Sequence, residues 1–454
     1  DNVHLFGGYP DAATDRDLSG RDPLKNLTTI SANIIDNGYQ FNTCHVIGFG
    51  GANHAIVDGF RLAYAYSLPN KDLNNTVGTG SELYFNPILR DGGAVLLQDK
   101  IGGYGSMIGN KVRNCIVANC TSERGAAVFV QSSRSDVEIE VEFENCIIHN
   151  NTSTFETAGA TPSAIYIESE AGGSVQVKFN HCNILKNVGY GLHLKGTGAT
   201  VQLDNSMIWA NATQAFARSE ELANSGNTAF ISPILLETGA ILTGTNNLLD
   251  ASATVPAGLT NTENKLTYLR SETTAEGITK EIYTYPVFVN PTKNIGATEE
   301  GDLTNYGGTV NFMPRNMNPM VNAAADASMS GTDISTNITR TYGGAADIGA
   351  VENNDTESEG YQPQQGRIIY VRDYGNTTDK GGDGSSWSKA INGNCTLYTN
   401  DHGFQGYDAE LYAEDAALTG LQWAVDEAYY RSLKKDGSNN IAYTTKSVYK
   451  ALPP

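Results

Sequence analysis

Residues 126–151, AAVFVQSSRSDVEIEVEFENCIIHNN, decide the fold class of this chain. The run at 137–143 alternates apolar residues with glutamates, so an extended strand there has one apolar face and one carboxylate face. A shorter apolar run at 127–130 precedes it, and Asn145-Cys146 follows it at a turn. This pattern predicts short β-strands joined by turns.

Both parts of this stretch recur along the chain. The first phrase stands at Ala94-Val95-Leu96-Leu97, Ala127-Val128-Phe129-Val130, Ala164-Ile165-Tyr166-Ile167 and Gly191-Leu192-His193-Leu194. The second stands at Val112-Arg113-Asn114-Cys115, Phe143-Glu144-Asn145-Cys146, Phe179-Asn180-His181-Cys182 and Leu203-Asp204-Asn205-Ser206. The copies follow one another at steps of 33, 37 and 27 residues for the first phrase, and 31, 36 and 24 for the second. Periods of roughly 20 to 50 residues are typical of solenoids, so we predict an all-β solenoid with one coil per repeat.

The repeats also predict which residues stack on one another. Equivalent positions in successive coils lie about 4.8 Å apart. We therefore expect one interior column of Cys115, Cys146, Cys182 and Ser206, with Asn145 near Asn114 and Asn205 at a turn. A further turn asparagine closes the later copies at Asn151, Asn187 and Asn211, and Cys120 holds that place in the first copy. The cysteines are predicted to be buried and unpaired, because they follow the repeat and lack zinc spacing.

The composition of the chain argues against several classes of function. The 454 residues carry a formal charge of −20, and no cluster of Lys and Arg suits a nucleic-acid backbone or an anionic membrane. No run of 18 apolar residues predicts a membrane span. Divalent cations or a basic partner remain possible ligands. The chain begins at Asp1 directly before a strand-like segment, so we expect a mature form or a piece of a longer protein.

Several further motifs carry a family resemblance. They are Val3-His4-Leu5-Phe6-Gly7-Gly8-Tyr9-Pro10, Val57-Asp58-Gly59-Phe60, Tyr285-Pro286-Val287-Phe288-Val289-Asn290-Pro291, Asn311-Phe312-Met313-Pro314-Arg315-Asn316 and Tyr342-Gly343-Gly344-Ala345-Ala346-Asp347-Ile348-Gly349-Ala350. With the repeats, they resemble secreted right-handed parallel β-helix proteins of Bacteroidetes and the related polymorphic outer-membrane proteins. The resemblance implies a right-handed parallel β-helix over residues 1–350, export and surface display. It says little about activity, because one fold hosts many functions.

The order of the segments departs from that family. Residues 351–366, VENNDTESEGYQPQQG, are predicted to be an acidic linker. Residues 367–454 then resemble the family's opening segment: a strand at 368–371, the turn GDGSSW, and an amphipathic helix near 419–433 with Thr419 as its N-cap. A last strand is predicted at 447–450. This small α/β segment is expected to be the N-terminal cap of a further β-helix.

This order predicts an extracellular structural subunit that assembles head-to-tail with copies of itself, as a filament or as one period of a tandem-repeat surface fibre. The C-terminal segment of one unit would complete and cap the β-helix of the next. An extended linker spans at most roughly 50 Å, against about 40 Å of stacked coils, so capping of the chain's own first coil is expected to be barely possible. The predicted interface consists of Val3, Leu5, Phe6, Leu421, Val425, Tyr429, Val448 and Tyr449.

The alternative is a cell-surface glycan-binding adhesin, or a polysaccharide lyase or hydrolase, on the same scaffold. Phe129 and Tyr166 alternate with inward residues and would form an exposed aromatic ledge. The outward carboxylates Glu138, Glu140, Glu142, Glu168 and Glu170 offer a possible acid–base cluster, although a solvated strand face explains them as well. We predict no catalytic residue.

Two histidines and two acidic loops are candidate ligand sites. His149 and His181 adjoin turn asparagines, which favours hydrogen bonding in turns over metal binding. No metal ligand or cofactor is predicted. Two acidic loops resemble calcium loops only weakly: Asp15-Arg16-Asp17-Leu18-Ser19-Gly20, and the loop that carries Asp373, Asp379 and Asp383.

Overall fold

The computed structural model is nearly all β. It describes residues 2–10, 18–36, 39–67, 91–100, 103–154, 161–170, 172–215, 233–250, 254–273, 279–284, 288–290, 292, 295–297, 311–314, 320–324, 331–341, 345–353, 368–372, 391–392, 396–398, 417–419, 434–435, 441–442 and 448–451. Over these ranges the helical content is one short 3-10 turn, Leu18–Gly20. Within them no helix has the length and apolar character to cross a membrane.

The strands are short and regularly spaced. In chain order they are β1 His4–Phe6, β2 Thr28–Ser31, β3 Asn33–Asp36, β4 Tyr39–Asn42, β5 Ile47–Gly48, β6 Ile56–Asp58, β7 Phe60–Ala63, β8 Val95–Gln98, β9 Met107–Arg113, β10 Ile116–Ala118, β11 Thr121–Ser122, β12 Val128–Ser132, β13 Glu138–Glu144, β14 Ile147–His149, β15 Thr152–Ser153, β16 Ser163–Ser169, β17 Ser174–Asn180 and β18 Asn183–Leu185. They continue as β19 Tyr190–Lys195, β20 Ala199–Asp204, β21 Met207–Trp209, β22 Ile234–Leu236, β23 Ile241–Thr245, β24 Leu248–Asp250, β25 Leu259–Thr260, β26 Glu263–Thr273, β27 Thr279–Thr284, β28 Phe288–Asn290 and β29 Asn311–Pro314. The C-terminal strands are β30 Ile368–Arg372, β31 Ile391–Asn392, β32 Thr396–Tyr398, β33 Ala417–Thr419, β34 Lys434–Lys435, β35 Ile441–Ala442 and β36 Val448–Ala451.

Three long sheets organise the chain. The first sheet has the order β1-β6-β9-β13-β17-β20-β23-β25, the second β2-β7-β10-β14-β18-β21-β24-β26-β27, and the third β5-β8-β12-β16-β19-β22. Neighbouring strands pair in parallel, except for the antiparallel pair β26–β27. From β8 to β24 the chain visits the third, first and second sheets in turn, and we call one such passage a circuit. This arrangement is compatible with an all-β parallel solenoid.

The predicted interior column is confirmed by the strand register. Ile116 pairs with Ile147, Ile147 with Asn183 and Asn183 with Met207, so the residues that precede them are aligned as well. These are Cys115, Cys146, Cys182 and Ser206, and all four are buried. Five cysteines lie in the described part of the chain, and each is a free thiol, as predicted: Cys44, Cys115, Cys120, Cys146 and Cys182. Four of them are buried as predicted, whereas Cys44 is only half-buried.

The predicted asparagine positions form a hydrogen-bonded ladder. Asn151 Nδ2 donates to Asn187 Oδ1, and Asn187 Nδ2 donates to Asn211 Oδ1, each at 3.0 Å. The backbone N–H of Cys120 donates to Asn151 Oδ1 at 3.0 Å, so Cys120 extends this series into the earlier circuit. All three asparagines are fully buried. Their amides therefore satisfy one another and the backbone along the stack, as buried polar groups require.

The turn after each strand of the first sheet uses a left-handed residue. Asn114, Asn145, His181 and Asn205 have φ values of 51°, 52°, 50° and 48°. Asparagine and histidine are among the side chains that adopt this region most readily. Asn145 donates to Asn114 at 3.0 Å, as predicted. Asn205 does not reach Asn145, because His181 holds the turn of the intervening circuit, and it donates to Asn180 at 3.3 Å instead.

The described residues between 288 and 353, which we call the closing segment, pack against the outer face of the second sheet. Phe288, Phe312, Ile334 and Ile348 belong to a buried cluster with outward-facing residues of that sheet, including Trp209. Val351, Glu352 and Asn353 are also buried. They belong to the closing segment, so the linker predicted to begin at residue 351 begins later. The physical reason is the burial of Glu352, whose carboxylate lies 3.5 Å from Arg340.

The C-terminal segment contains a small parallel sheet. Its order is β31-β30-β36, so β36 is an edge strand. β30 and β36 confirm the strands predicted at 368–371 and 447–450. Thr419, the expected N-cap, ends β33, which pairs antiparallel with β32. The predicted helix beyond Thr419 lies outside the described residues.

Candidate functional site

One end of the stack is built from the first strand of each sheet. β1, β2 and β5 are the edge strands of the first, second and third sheets at this end. We call these three strands the open end, because among the described residues no strand follows them on their outer side. Each strand is short because turn residues and loops interrupt the apolar runs that form it. An edge strand presents unpaired N–H and C=O groups and is a template for another strand.

The backbone of β1 offers such groups. On its inner side, Ile56 N–H donates to Val3 O at 2.9 Å, and Gly7 N–H donates to Asp58 O at 2.8 Å. Successive residues of a strand direct their backbone groups to opposite sides. Since Val3 and Gly7 bond to β6, the N–H and C=O of His4 and Phe6 point away from β6. They point to the side on which no described strand is paired with β1.

The side chains of β1 leave the interior of the stack incomplete at the open end. Leu5 is in register with Val57, and Val57 with Val112, so Leu5 heads a column of core residues. Val57 and Val112 are buried, whereas Leu5 is 43% exposed and Val3 56% exposed. Apolar side chains on the neighbouring edge strands, Ile30 on β2 and Ile47 on β5, are only partly buried against the core. The open end therefore exposes apolar surface that another coil would cover.

Below β1 lies a buried ionic network. The Arg21 guanidinium contacts Asp58 Oδ1 at 2.6 Å, and Arg113 Nε contacts Asp58 Oδ2 at 2.6 Å. Arg21 Nε also donates to Gly7 O at 2.7 Å, so the network reaches the end of β1. Asn114 Nδ2 donates to Asp58 Oδ1 at 3.0 Å. Sequence reasoning missed this site, because Arg21 comes from a loop between strands and follows no repeat.

The predicted interface residues fall into two groups. Val3, Leu5 and Phe6 lie together at the open end. Val448 and Tyr449 lie on the edge strand β36, in register with Ile368 and Ile369 of β30. The other predicted interface residues, Leu421, Val425 and Tyr429, lie outside the described residues. The structure thus places Leu5 and Phe6 on the edge strand β1, with Val3 just before it, and Val448 and Tyr449 on the edge strand β36. It does not pair β1 with β36.

The path of the closing segment shortens the distance on which the length argument against self-capping depends. The closing segment runs back along the second sheet, where Thr336 Oγ1 donates to Arg21 O at 2.7 Å. Its last described residues lie between the turns after β13 and β20, because Arg340 donates to Asn145 at 2.5 Å and the Gly349 N–H donates to Asn205 O at 2.8 Å. Three to five strand steps separate these turns from β1, or about 15–25 Å. The 14 residues at 354–367 span about 50 Å when extended, which is ample for that distance.

The prediction of an exposed aromatic ledge is wrong. Phe129 and Tyr166 stack with ring centroids 5.3 Å apart, and they do point away from the interior. Both are nevertheless buried, with exposed fractions of 0% and 1%. The Arg124 guanidinium lies over Tyr166 at 4.7 Å and is held by two contacts to Asp91, at 2.8 and 2.6 Å. A cation on the ring face prevents a sugar from stacking there.

Three of the outward carboxylates, Glu142, Glu168 and Glu170, are paired with lysines rather than arranged as an acid–base couple. Lys195 contacts Glu168 at 2.8 Å, and Gln131 donates to Glu168 at 2.8 Å. Burial disfavours the charge on Glu168, but the hydrogen bond and charge of Lys195 outweigh it and lower the pKa of this carboxyl. Glu142 is held in the same way between Lys111 and Lys178, at 2.7 and 3.4 Å. Glu138 and Glu140 are solvent-exposed, as the alternation predicts.

The histidines act in turns and packing. His149 Nδ1 hydrogen-bonds Asn150 at 2.6 Å, and His181 Nδ1 hydrogen-bonds Asp347 O at 3.0 Å, as predicted for turn residues. Burial lowers the pKa of His149 to about 3, so its ring is neutral at ordinary pH. No group of three or more metal-ligating side chains occurs in the described ranges. Both acidic loops considered for calcium, with Asp15 and Asp17 or Asp373, Asp379 and Asp383, lie outside those ranges.

Comparison with known proteins adds no relatives. No protein-family model matches the chain, and no curated protein matches it in sequence. The resemblance to secreted β-helix proteins therefore rests on the motif residues alone.

Proposed function

We propose that this chain is an extracellular structural subunit built on a right-handed parallel β-helix. Three parallel sheets visited in turn support the β-helix, and crossovers between parallel strands are right-handed in about 98% of cases. The motif resemblance supports membership of the Bacteroidetes β-helix group, export and surface display. The aromatic ledge is buried, so the glycan-binding or glycan-cleaving alternative has no described surface in its favour.

We further propose head-to-tail assembly, in which β36 of one copy adds to β1 of the next. The observation that carries this proposal is the match between two sheet edges that no further strand covers among the described residues. β1 is the edge of a parallel sheet with a half-exposed core residue, and β36 is the edge of a second parallel sheet. Within one chain neither edge pairs with the other, although residues 354–367 are long enough to allow it. This leaves both edges for contacts between copies.

Strand addition at β1 both forms backbone hydrogen bonds and buries apolar side chains. The backbone groups of His4 and Phe6 gain hydrogen bonds, and Leu5 and Val3 lose contact with water. Burying one leucine side chain completely stabilises by roughly 1.5–3 kcal/mol, so covering the exposed part of Leu5 contributes less than that. Because β1 has only three residues, much of the affinity must come from the rest of the C-terminal segment. A contact between head and tail is heterologous, and it gives a filament unless the rotation closes a ring.

Two variants of the full chain test this proposal. Leu5→Lys places a charge on the head, and deletion of residues 368–454 removes the tail while keeping the closing segment. We expect the wild type to form concentration-dependent chains by analytical ultracentrifugation and electron microscopy, and each variant alone to form none. The Leu5→Lys chain has an intact tail and the deleted chain an intact head, so their mixture should give one-to-one dimers.

The mixture also distinguishes assembly from self-capping. If β36 caps β1 of its own chain, the wild type stays monomeric at every concentration and is more compact than Leu5→Lys. A monomeric wild type, or a mixture without dimers, contradicts head-to-tail assembly. Glu138→Lys, on an exposed side chain far from the open end, is the matched control and should assemble like the wild type.

A further inference from the structure

This inference rests on the proposed function and concerns what holds β1 in place. A three-residue strand with one neighbour has few contacts, and such termini fray. A frayed strand is a poor template, since its ordering must be offset by the binding energy. In this chain the end of β1 is tied down by Arg21.

The Arg21 guanidinium links the end of β1 to Asp58 of β6. Its Nε donates to Gly7 O at 2.7 Å, and its Nη2 donates to Asp58 Oδ1 at 2.6 Å and to Asp58 O at 3.1 Å. It also lies 5.3 Å from the Phe6 ring centroid. The side chain is only 4% exposed.

The surrounding chain is shaped for this guanidinium. A Cβ at Gly59 would lie 2.2 Å from Arg21 Nη2, so only glycine leaves room there. Thr336 Oγ1 donates to Arg21 O at 2.7 Å, so the closing segment holds the loop that carries Arg21. Asn337 Nδ2 donates to Asp22 Oδ2 at 3.0 Å and fixes the next residue of that loop.

We infer that Arg21 is a positioning residue for assembly, which fixes β1 through Gly7 and Asp58 so that its free edge is ordered before a partner strand arrives. The closing segment contributes by holding the Arg21 loop. Asp58 also has Arg113 and Asn114 as partners, so loss of Arg21 does not leave a buried carboxylate unpaired. Replacement of Arg21 should therefore release β1 without unfolding the rest of the stack.

The test compares Arg21→Gln and Arg21→Lys with the wild type. We expect Arg21→Gln to weaken assembly at least tenfold, measured as the dissociation constant between copies by ultracentrifugation. Arg21→Lys keeps the charge, but an ammonium group lacks the forked geometry with which the guanidinium donates to Gly7 and Asp58. Its dissociation constant should therefore lie between those of the wild type and Arg21→Gln. Circular dichroism checks that both variants keep the β-sheet content of the wild type.

Hydrogen exchange supplies a readout that a merely structural role does not move. The measurement is made in a Leu5→Lys background, which is expected not to assemble. Arg21→Gln should speed exchange of the Gly7 N–H at least tenfold and leave the amides of β13 and β17 unchanged. Unchanged exchange at Gly7, or faster exchange with unweakened assembly, overturns the role of Arg21. Normal assembly of the Leu5→Lys chain overturns the proposed function itself, so the two failures are distinct.

Discussion

The middle circuits and the open end use the same kinds of residue in the same column with different results. Phe143 lies between Val112 and Phe179 in the first sheet, and all three are buried. Leu5 heads the same column above Val57 and remains 43% exposed. A side chain in a stack needs a neighbour on both sides, so the alternation of a strand determines its face, whereas the stack determines its burial.

The largest expected difference between the two regions concerns a buried charge. Cys146→Asp places a carboxylate inside the column between Cys115 and Cys182, with no cation nearby in the described core. We expect a loss of several kcal/mol in the free energy of unfolding and local loss of the β-sheet signal. Cys146→Ser is the matched control and should cost about 1 kcal/mol, since Ser206 already holds the equivalent place. Thermal and urea melts measure both, and equal costs would mean that position 146 does not face the interior.

The column and the ladder were predictable because each repeat places the same residue type at the same position. Cys115, Cys146 and Cys182 identified the register without any knowledge of the loops between them. Two other features were not predictable in this way. Tyr166 is covered by Arg124, a residue 42 positions away whose side-chain direction no periodicity encodes. The return path of the closing segment depends on tertiary contacts such as that between Arg340 and Asn145, which are 195 positions apart.

A substitution in the asparagine ladder is expected to lower the free energy of unfolding by a smaller amount. Asn187 Oδ1 accepts from the backbone N–H and from Nδ2 of Asn151, and Asn187 Nδ2 donates to Asn211. Asn187→Ala removes the printed acceptor of the buried Asn151 N–H, whereas Asn151 Nδ2 keeps its bonds to Val117 O and His149 O. We therefore expect a loss of about 1–3 kcal/mol in the free energy of unfolding. Chemical denaturation measures the loss. Asn33→Ala, at an edge position near the open end, is the comparison and should cost less than 1 kcal/mol. Equal losses of unfolding free energy in the two variants would mean that the asparagine ladder is no more important for stability than a position near the open end.

The pH dependence tests a buried carboxyl in the circuit farthest from the open end. Burial raises the pKa of Asp250 to about 8, although the Ala210 N–H donates to it at 2.9 Å. The folded pKa is above the unfolded value near 3.9, so its stabilising contribution is complete below about pH 4 and is lost as the pH rises towards 8. Stability should fall by up to about 1.4 kcal/mol per pH unit between pH 5 and 7 from this group. Asp250→Asn should flatten that slope in urea melts, and an unchanged slope would show that Asp250 is ionised in the fold.

The smallest effect on unfolding is expected at the open end itself. Leu5→Asp changes a side chain that is 43% exposed and has a core neighbour on one side only, so it should cost no more than about 1 kcal/mol in unassembled protein. Val57→Asp, one strand deeper in the same column, is the matched variant and should cost several kcal/mol, because a charge there is enclosed. Denaturation below the assembly concentration measures both costs. Above that concentration Leu5→Asp should have a large effect on assembly, because it is expected to block the addition of β36 and keep the protein monomeric. A cost at Leu5 equal to that at Val57 in the monomer would mean that β1 is already covered within its own chain, which is the signature of self-capping.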